Sequence, residues 1–153
     1  MKLGDKVPKI SLAATSEQQV DLSKIKGKNI IVYFYPKDST PGCTTEGQNF
    51  RDHFKTFEKL DTIIFGVSRE SIKSHERFKE KQQFPFELIS DPDEELCKAF
   101  DVIKLKKLYG REYMGIERST FLFDKKNKLI KEWRKVRVKG HVDLVLQTVK
   151  DLS

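Results

Sequence analysis

The run Ile30-Ile31-Val32-Tyr33-Phe34-Tyr35-Pro36-Lys37-Asp38-Ser39-Thr40-Pro41-Gly42-Cys43 passes from a strand pattern through a polar loop into a helix start. Ile30 to Tyr35 are all β-branched or aromatic, the composition of a buried strand. Thr40-Pro41 reads as a helix N-terminus: a capping hydroxyl, then the residue whose fixed φ suits the first helical position. Cys43 falls in the first turn. There the backbone N–H groups lack partners and the helix dipole is positive, so a thiolate is favoured over a thiol. A central strand that delivers a cysteine to a helix start predicts an α/β fold with its chemistry at the carboxyl end of that strand.

The flanking sequence alternates in the same way. Residues 9–14 and 18–22 suit a hairpin or an irregular lead-in, followed by the Gly27-Lys28-Asn29 turn. Phe50, Phe54, Phe57 and Leu60 recur at helical spacing, which predicts one helix over 41–60. Thr62 to Val67 reads as a second buried strand, and Ser71 to about Gln82 as a helix with Ile72, His75 and Phe78 on one side. Pro85 ends that region. A short strand over 86–89 and a brief helix over 93–100, opened by Glu94 and Glu95, come next. Strands over 119–123 and 128–133 are joined by a hairpin-like turn, and a last helix over about 141–152 carries Val142, Val145, Val149 and Leu152 as its stripe. Long apolar strands with short connections imply a central sheet covered on both faces. The expected architecture is therefore a thioredoxin-like α/β fold, a central mixed β-sheet flanked by helices on both faces. No repeat, low-complexity tract or composition break divides it, so residues 1–153 are read as one domain.

A chain of 153 residues can bury a usable core. No apolar run approaches the roughly 20 residues of a membrane span, and Met-Lys-Leu-Gly-Asp-Lys-Val-Pro lacks the apolar stretch of a signal peptide. Cys43 and Cys97, without a C-x-x-C, do not suggest a disulfide framework and fit a reducing compartment. A cytoplasmic address with no membrane partner is expected. The net charge of +7 is one-sided: residues 1–100 carry 16 basic and 16 acidic side chains, residues 101–153 carry 14 and 7. Turn lysines and outward-pointing strand residues account for that excess, and no nucleic-acid module accompanies it, so it is read as a solvated face. His53, His75 and His141 have no metal-ligand spacing with either cysteine, and neither a metal nor a cofactor is implied.

Pro36-x-x-x-Thr40-x-x-Cys43 matches the active-site motif of the peroxiredoxins. The wider string Tyr33-Phe-Tyr-Pro-Lys-Asp-Ser-Thr-Pro-Gly-Cys-Thr-Thr-Glu46 resembles the peroxiredoxin Q group, also called bacterioferritin comigratory protein. Gly115-Ile-Glu-Arg118-Ser-Thr-Phe-Leu-Phe-Asp124 resembles the segment where that family sets its active-site arginine on a strand; Ser90-Asp-Pro-Asp93 and Lys139-Gly-His141 are similar too. The resemblance covers essentially the whole chain. It implies a thiol-dependent peroxidase that reduces hydrogen peroxide and organic hydroperoxides through a Cys43 sulfenic acid. It also implies an external thiol reductant such as thioredoxin, glutaredoxin or a low-molecular-weight thiol, and a monomer or a dimer.

Splitting a peroxide with a thiolate is an in-line displacement that needs donors for the charge shifting onto oxygen and alignment of the reacting atoms. Cys43 supplies the sulfur, and the N–H groups of Gly42 and Cys43 are expected to face the site. By the resemblance, Arg118 holds the thiolate charge and donates to the peroxide through its planar fork, Thr40 hydrogen-bonds the peroxide, and Pro36 shields the sulfur from water. Thr40 is equally the expected cap. Taken alone, Arg118 reads as a strand arginine paired with Glu117 or Glu132. Glu46 either buttresses the arginine or only favours the helix start. Gln48 departs from the family, many of whose members carry a resolving cysteine there. The remaining internal partner is Cys97, which beside Leu96 and near Phe100 reads as a small core residue, so a one-cysteine mechanism resolved from outside is expected. The rival readings are a cysteine hydrolase pairing Cys43 with His141 or His53, and a thiol redox sensor or partner-binding thioredoxin-like module.

Overall fold

The computed structural model describes residues 1–152. β1 (Ser11–Ala14) and β2 (Gln18–Asp21) form an opening hairpin, followed by β3 (Asn29–Phe34), α1 (Pro41–Asp52) and α2 (Phe54–Lys59). β4 (Thr62–Ser68), α3 (Ile72–Gln82), β5 (Glu87–Ser90) and α4 (Glu95–Ala99) come next. β6 (Ile103–Leu108) and β7 (Arg111–Ile116) make a second hairpin, and β8 (Ser119–Phe123), β9 (Leu129–Trp133) and α5 (His141–Asp151) follow.

All of β3 is buried, so it needs a partner on each edge and a layer on each face. β4 lies parallel to it with Ile64 beside Ile31, and β8 antiparallel with Leu122 beside Ile31. The mixed seven-stranded sheet runs β2-β1-β5-β4-β3-β8-β9. Side chains alternate across β3. Ile30, Val32 and Phe34 enter one core with Val67, Phe100, Phe121 and Cys97. Ile31, Tyr33 and the following Tyr35 enter the other with Cys43, Phe50, Phe57, Phe78 and Val145. The second core is roofed by α1, α2, α3 and α5, the first by α4 and the N-terminal segment. This is the flanked mixed sheet that the strand and helix periods imply.

Several elements differ from expectation. The single helix over 41–60 is two helices meeting at His53. The His53 ring bonds the Asn49 carbonyl at 2.9 Å, the group its own backbone N–H would take in a continuous helix, and that N–H turns to the Arg51 carbonyl. The apolar spacing survives the break because Phe50 and Phe57 still face one core. Residues 103–116, which the hydrophobic pattern left without an element, form the β6–β7 ladder. It closes through Tyr109 and Gly110, both at positive φ, as a type I′ hairpin turn requires. Leu152 lies past the end of α5 and is exposed, and Leu146 takes the fourth buried place beside Val142, Val145 and Val149.

Candidate active site

β3 ends at Phe34, and Tyr35 extends the pairing by donating its N–H to Val67 at 3.1 Å. The loop from Pro36 to Thr40 is held by its one buried carboxylate. Asp38 accepts from Tyr35 Oη at 2.6 Å, from Ser74 Oγ at 2.7 Å and from His75 Nδ1 at 2.7 Å. His75 Nε2 reaches the Ile89 carbonyl at 3.0 Å, so the loop is tied at once to α3 and β5. Burial alone would raise the Asp38 carboxyl. The hydrogen bond and charge of His75, with Tyr35 and Ser74, outweigh it and hold Asp38 below its ordinary value. Sequence reasoning missed this network. The signal was His75 on the same side of its helix as Ile72 and Phe78: a buried imidazole needs polar partners, and Asp38 is one.

Thr40 sits at the helix N-cap with an extended backbone, yet its hydroxyl does not cap. It donates instead to the Lys37 carbonyl at 2.9 Å, closing the loop on itself. Pro41 takes the first helical position as expected, and Cys43 lies in the first turn with 2 % of its surface exposed. Pro36 is half-buried at the start of the loop.

Arg118 does not lie on a strand. It occupies the gap between β7 and β8, where it is free of ladder geometry and can turn toward α1. Its Nη2 lies 3.3 Å from Cys43 Sγ and its Nη1 2.6 Å from Glu46 Oε1. Neither Glu117 nor Glu132 is its partner; Glu132 pairs with Arg134 at 3.5 Å. Glu46 is thus the buttress, fully buried one helical turn beyond the cysteine. Its Oε2 has no hydrogen-bond partner among the described residues. Burial pushes the Glu46 carboxyl up to about 7, and Arg118 keeps it from rising further. Gly42 has a reason beyond substrate access. A β-carbon there would stand 3.2 Å from Arg118 Nη2, so the missing side chain leaves the guanidinium its seat over the helix start. A groove of about 540 Å³ runs beside Pro41, Gly42 and Thr45 toward Val138 and Val142, bordering the cysteine without containing it.

The structure separates the two cysteines. Cys43 belongs to the core roofed by α1, and Cys97 to the core on the other face of the sheet. Cys97 is fully buried and donates its backbone N–H to Asp91 at 2.8 Å. Burial, reinforced by the Asp91 carboxylate, pushes its thiol far above the ordinary range. Gln48, at the family's resolving position, bonds Gln82 at 2.9 Å, and Arg51 reaches the Gln82 carbonyl at 2.8 Å, so α1 is clasped to the end of α3. The histidines a hydrolase would need are engaged elsewhere: His141 with Thr120 at 2.7 Å, and His53 with Asn49 and Asp143.

Comparisons with known proteins agree with this geometry. The model of the AhpC/TSA family matches residues 3–132. Peroxiredoxin Bcp of Bacillus subtilis is 56% identical over 153 residues, covering 100% of this chain and 98% of the relative. Peroxiredoxin Bcp of Escherichia coli is 36% identical over 99% of this chain and 97% of its own length. A solved structure of the Xanthomonas campestris bacterioferritin comigratory protein, described in connection with its alkyl peroxide reduction activity, superposes with a TM-score of 0.92. It is 47% identical and covers 99% of this chain and 96% of its own. The sulfur, the guanidinium over it and the likeness along the full length together assign the chain to the AhpC/TSA family, in its bacterioferritin comigratory protein or peroxiredoxin Q group.

Proposed function

We propose that this chain, as a thiol-dependent peroxidase of the peroxiredoxin type, reduces hydrogen peroxide and organic hydroperoxides by a one-cysteine mechanism in the cytoplasm. The observation that carries the reading is the 3.3 Å contact between Cys43 Sγ and an Arg118 guanidinium that Glu46 holds in place. A cation fixed over sulfur at a helix start serves a thiolate. The thiolate attacks one peroxide oxygen, the O–O bond breaks, and the other oxygen leaves as hydroxide or alkoxide that takes up a proton. Cys43 becomes a sulfenic acid. Arg118 donates to the oxygen that gains charge, which is where a pre-oriented donor lowers a barrier. Thr40 offers its hydroxyl oxygen to the substrate, Gly42 leaves space for the guanidinium, and Pro36 shields the sulfur.

Resolution from outside rests on the sheet between the cysteines. A disulfide needs α-carbons within roughly 7 Å. Cys97 would have to leave a core on the opposite face to reach Cys43. An external thiol therefore attacks the sulfenic sulfur, water departs, and a second thiol releases Cys43 with a disulfide as the other product. Cys43→Ser should abolish turnover while the fold is kept. Mass spectrometry after one equivalent of peroxide, with no thiol added, should show one oxygen gained on Cys43. A Cys43–Cys97 disulfide as the main product would make Cys97 the resolving residue.

A further inference from the structure

Five of the eight large apolar side chains that the described residues expose lie on the β6–β7 hairpin: Leu105, Leu108, Tyr109, Tyr113 and Met114. Tyr109, at the tip, is 96 % exposed. Only the root of the ladder is buried, where Ile116 and Val102 enter the core that holds Cys97. Further out, the register places Leu105 and Met114 on one face and Lys106, Tyr113, Leu108 and Arg111 on the other. Small proteins rarely leave apolar side chains gathered in this way without a use.

The hairpin is also basic. Its span, 103–116, holds Lys104, Lys106, Lys107 and Arg111 against the single acid Glu112. Lys104 is paired with Asp101 and Lys107 with Glu112, whereas Lys106 and Arg111 have no ion-pair partner among the described residues. And it adjoins the sulfur. β7 ends at Ile116, two residues before Arg118, and the Met114 carbonyl accepts from Arg69 at 3.3 Å, which anchors the ladder to the end of β4. Lys106 lies over Gly115, where a β-carbon would meet its Cδ at 3.1 Å.

We propose that this hairpin is the docking surface for the protein dithiol that reduces Cys43, a partner with an apolar patch and carboxylates around its own cysteines. The inference rests on the peroxidase reading above. A small thiol can reach a sulfur that is 2 % exposed by itself, but a cysteine carried on a protein surface needs that surface seated beside it. A ladder of about 20 Å suits the small interfaces of transient redox encounters, commonly under roughly 1,200 Å² in total. Leu108 and Tyr113 share their face with the unpaired Lys106 and Arg111, which favours a partner whose apolar patch carries carboxylates, and the two cations steer its approach. Once seated, the partner's first sulfur bonds to Cys43 and the sulfenic oxygen leaves as water. Its second sulfur then displaces Cys43, and the partner departs as a disulfide, oxidised by two electrons.

The test uses Leu108→Ser/Tyr113→Ser and, separately, Arg111→Glu, all on one face of the hairpin, with thioredoxin, thioredoxin reductase and NADPH as the probe system. The double variant should raise KM for thioredoxin tenfold or more. Arg111→Glu should raise it several-fold at low salt and less at high salt. Turnover with dithiothreitol and the stopped-flow rate of Cys43 oxidation should stay unchanged in both. Unchanged KM in both variants overturns the proposal. So does a wild-type chain that turns over with dithiothreitol but not with thioredoxin, or a wild-type dimer that the double variant splits, which would make the hairpin a self-interface. RNA binding lost in Arg111→Glu with KM unaffected would equally overturn it. Failure of wild-type Cys43 to react with peroxide would instead refute the peroxidase reading itself.

Discussion

Arg118 reaches both Cys43 and Glu46 because its guanidinium presents two N–H edges in one plane, with Nη2 on the sulfur and Nη1 on the carboxylate. A lysine keeps the charge and loses that division, since a single ammonium cannot hold both partners from a fixed plane. Arg118→Lys should therefore lower the second-order rate of Cys43 oxidation by hydrogen peroxide roughly a hundredfold, the usual cost of one misplaced donor. Stopped-flow measurement of that rate decides it, and a near-wild-type value would leave Arg118 a purely structural residue. Cys43, Thr40 and Pro36 were visible as a motif in the bare sequence. Glu46 as the arginine's partner was one of two open readings there, because a carboxylate early in a helix also favours the helix dipole. Only the fold brings Arg118 across from another element to choose between them.

α1 has to lie close enough to the sheet and α3 for its first turn to present sulfur beside Arg118. Gly47 makes that approach possible: a β-carbon at this position would stand 2.3 Å from Phe84 Cζ, with two further ring atoms within 3.0 Å. In an exposed helix Gly→Ala stabilises by roughly 0.5–1 kcal/mol. Here the sign should reverse. Gly47→Ala should cost about 1–3 kcal/mol, the range for an overpacked core, because the Phe84 ring is stacked on Phe86 and set edge-on to Phe78. Urea unfolding measures it, and a stabilised variant would show that the ring moves freely. The elements missed from sequence share a cause. Ile-Lys-Leu-Lys-Lys-Leu over 103–108 lacks the apolar weight of a core strand, since the hairpin buries only its root. The break at His53 leaves the apolar spacing of 41–60 intact, so no periodicity could reveal it.

Two buried groups give the whole molecule opposing responses to acid. Burial, aided by the Arg118 charge, lowers His141 from 6.5 to about 4. Between these values the unfolded chain takes up a proton that the folded chain resists, so stability is lost as pH falls. Glu46 moves the other way, from 4.5 to about 7. Over that interval the folded chain holds the extra proton, so stability grows as pH falls. Each is worth on the order of 2 kcal/mol between pH 7 and pH 5, at about 1.4 kcal/mol per pH unit across the shifted range. The two nearly cancel in the wild type. His141→Gln should therefore become more stable from pH 7 to pH 5 and Glu46→Gln less stable, each by about 2 kcal/mol. Urea unfolding at the two pH values tests this, and identical pH dependence in the wild type and both variants would refute it.

The strand at β3, the helix start at Pro41 and the nucleophile between them follow from local chemistry: side-chain branching, proline's fixed φ and unpaired N–H groups act within a few residues and leave their mark in the letters. The plan of a sheet covered on both faces follows likewise, since six consecutive buried residues in β3 demand a layer on each side. What surrounds the sulfur comes from elements far apart in the chain. The Arg118–Glu46 pair, the Asp38–His75 clasp and the placement of Cys97 behind the sheet all join residues that no local pattern connects. Their geometry depends on the registers of β3 with β4 and β8 and on the closeness of α1 to Phe84, quantities set when the whole core is packed at once.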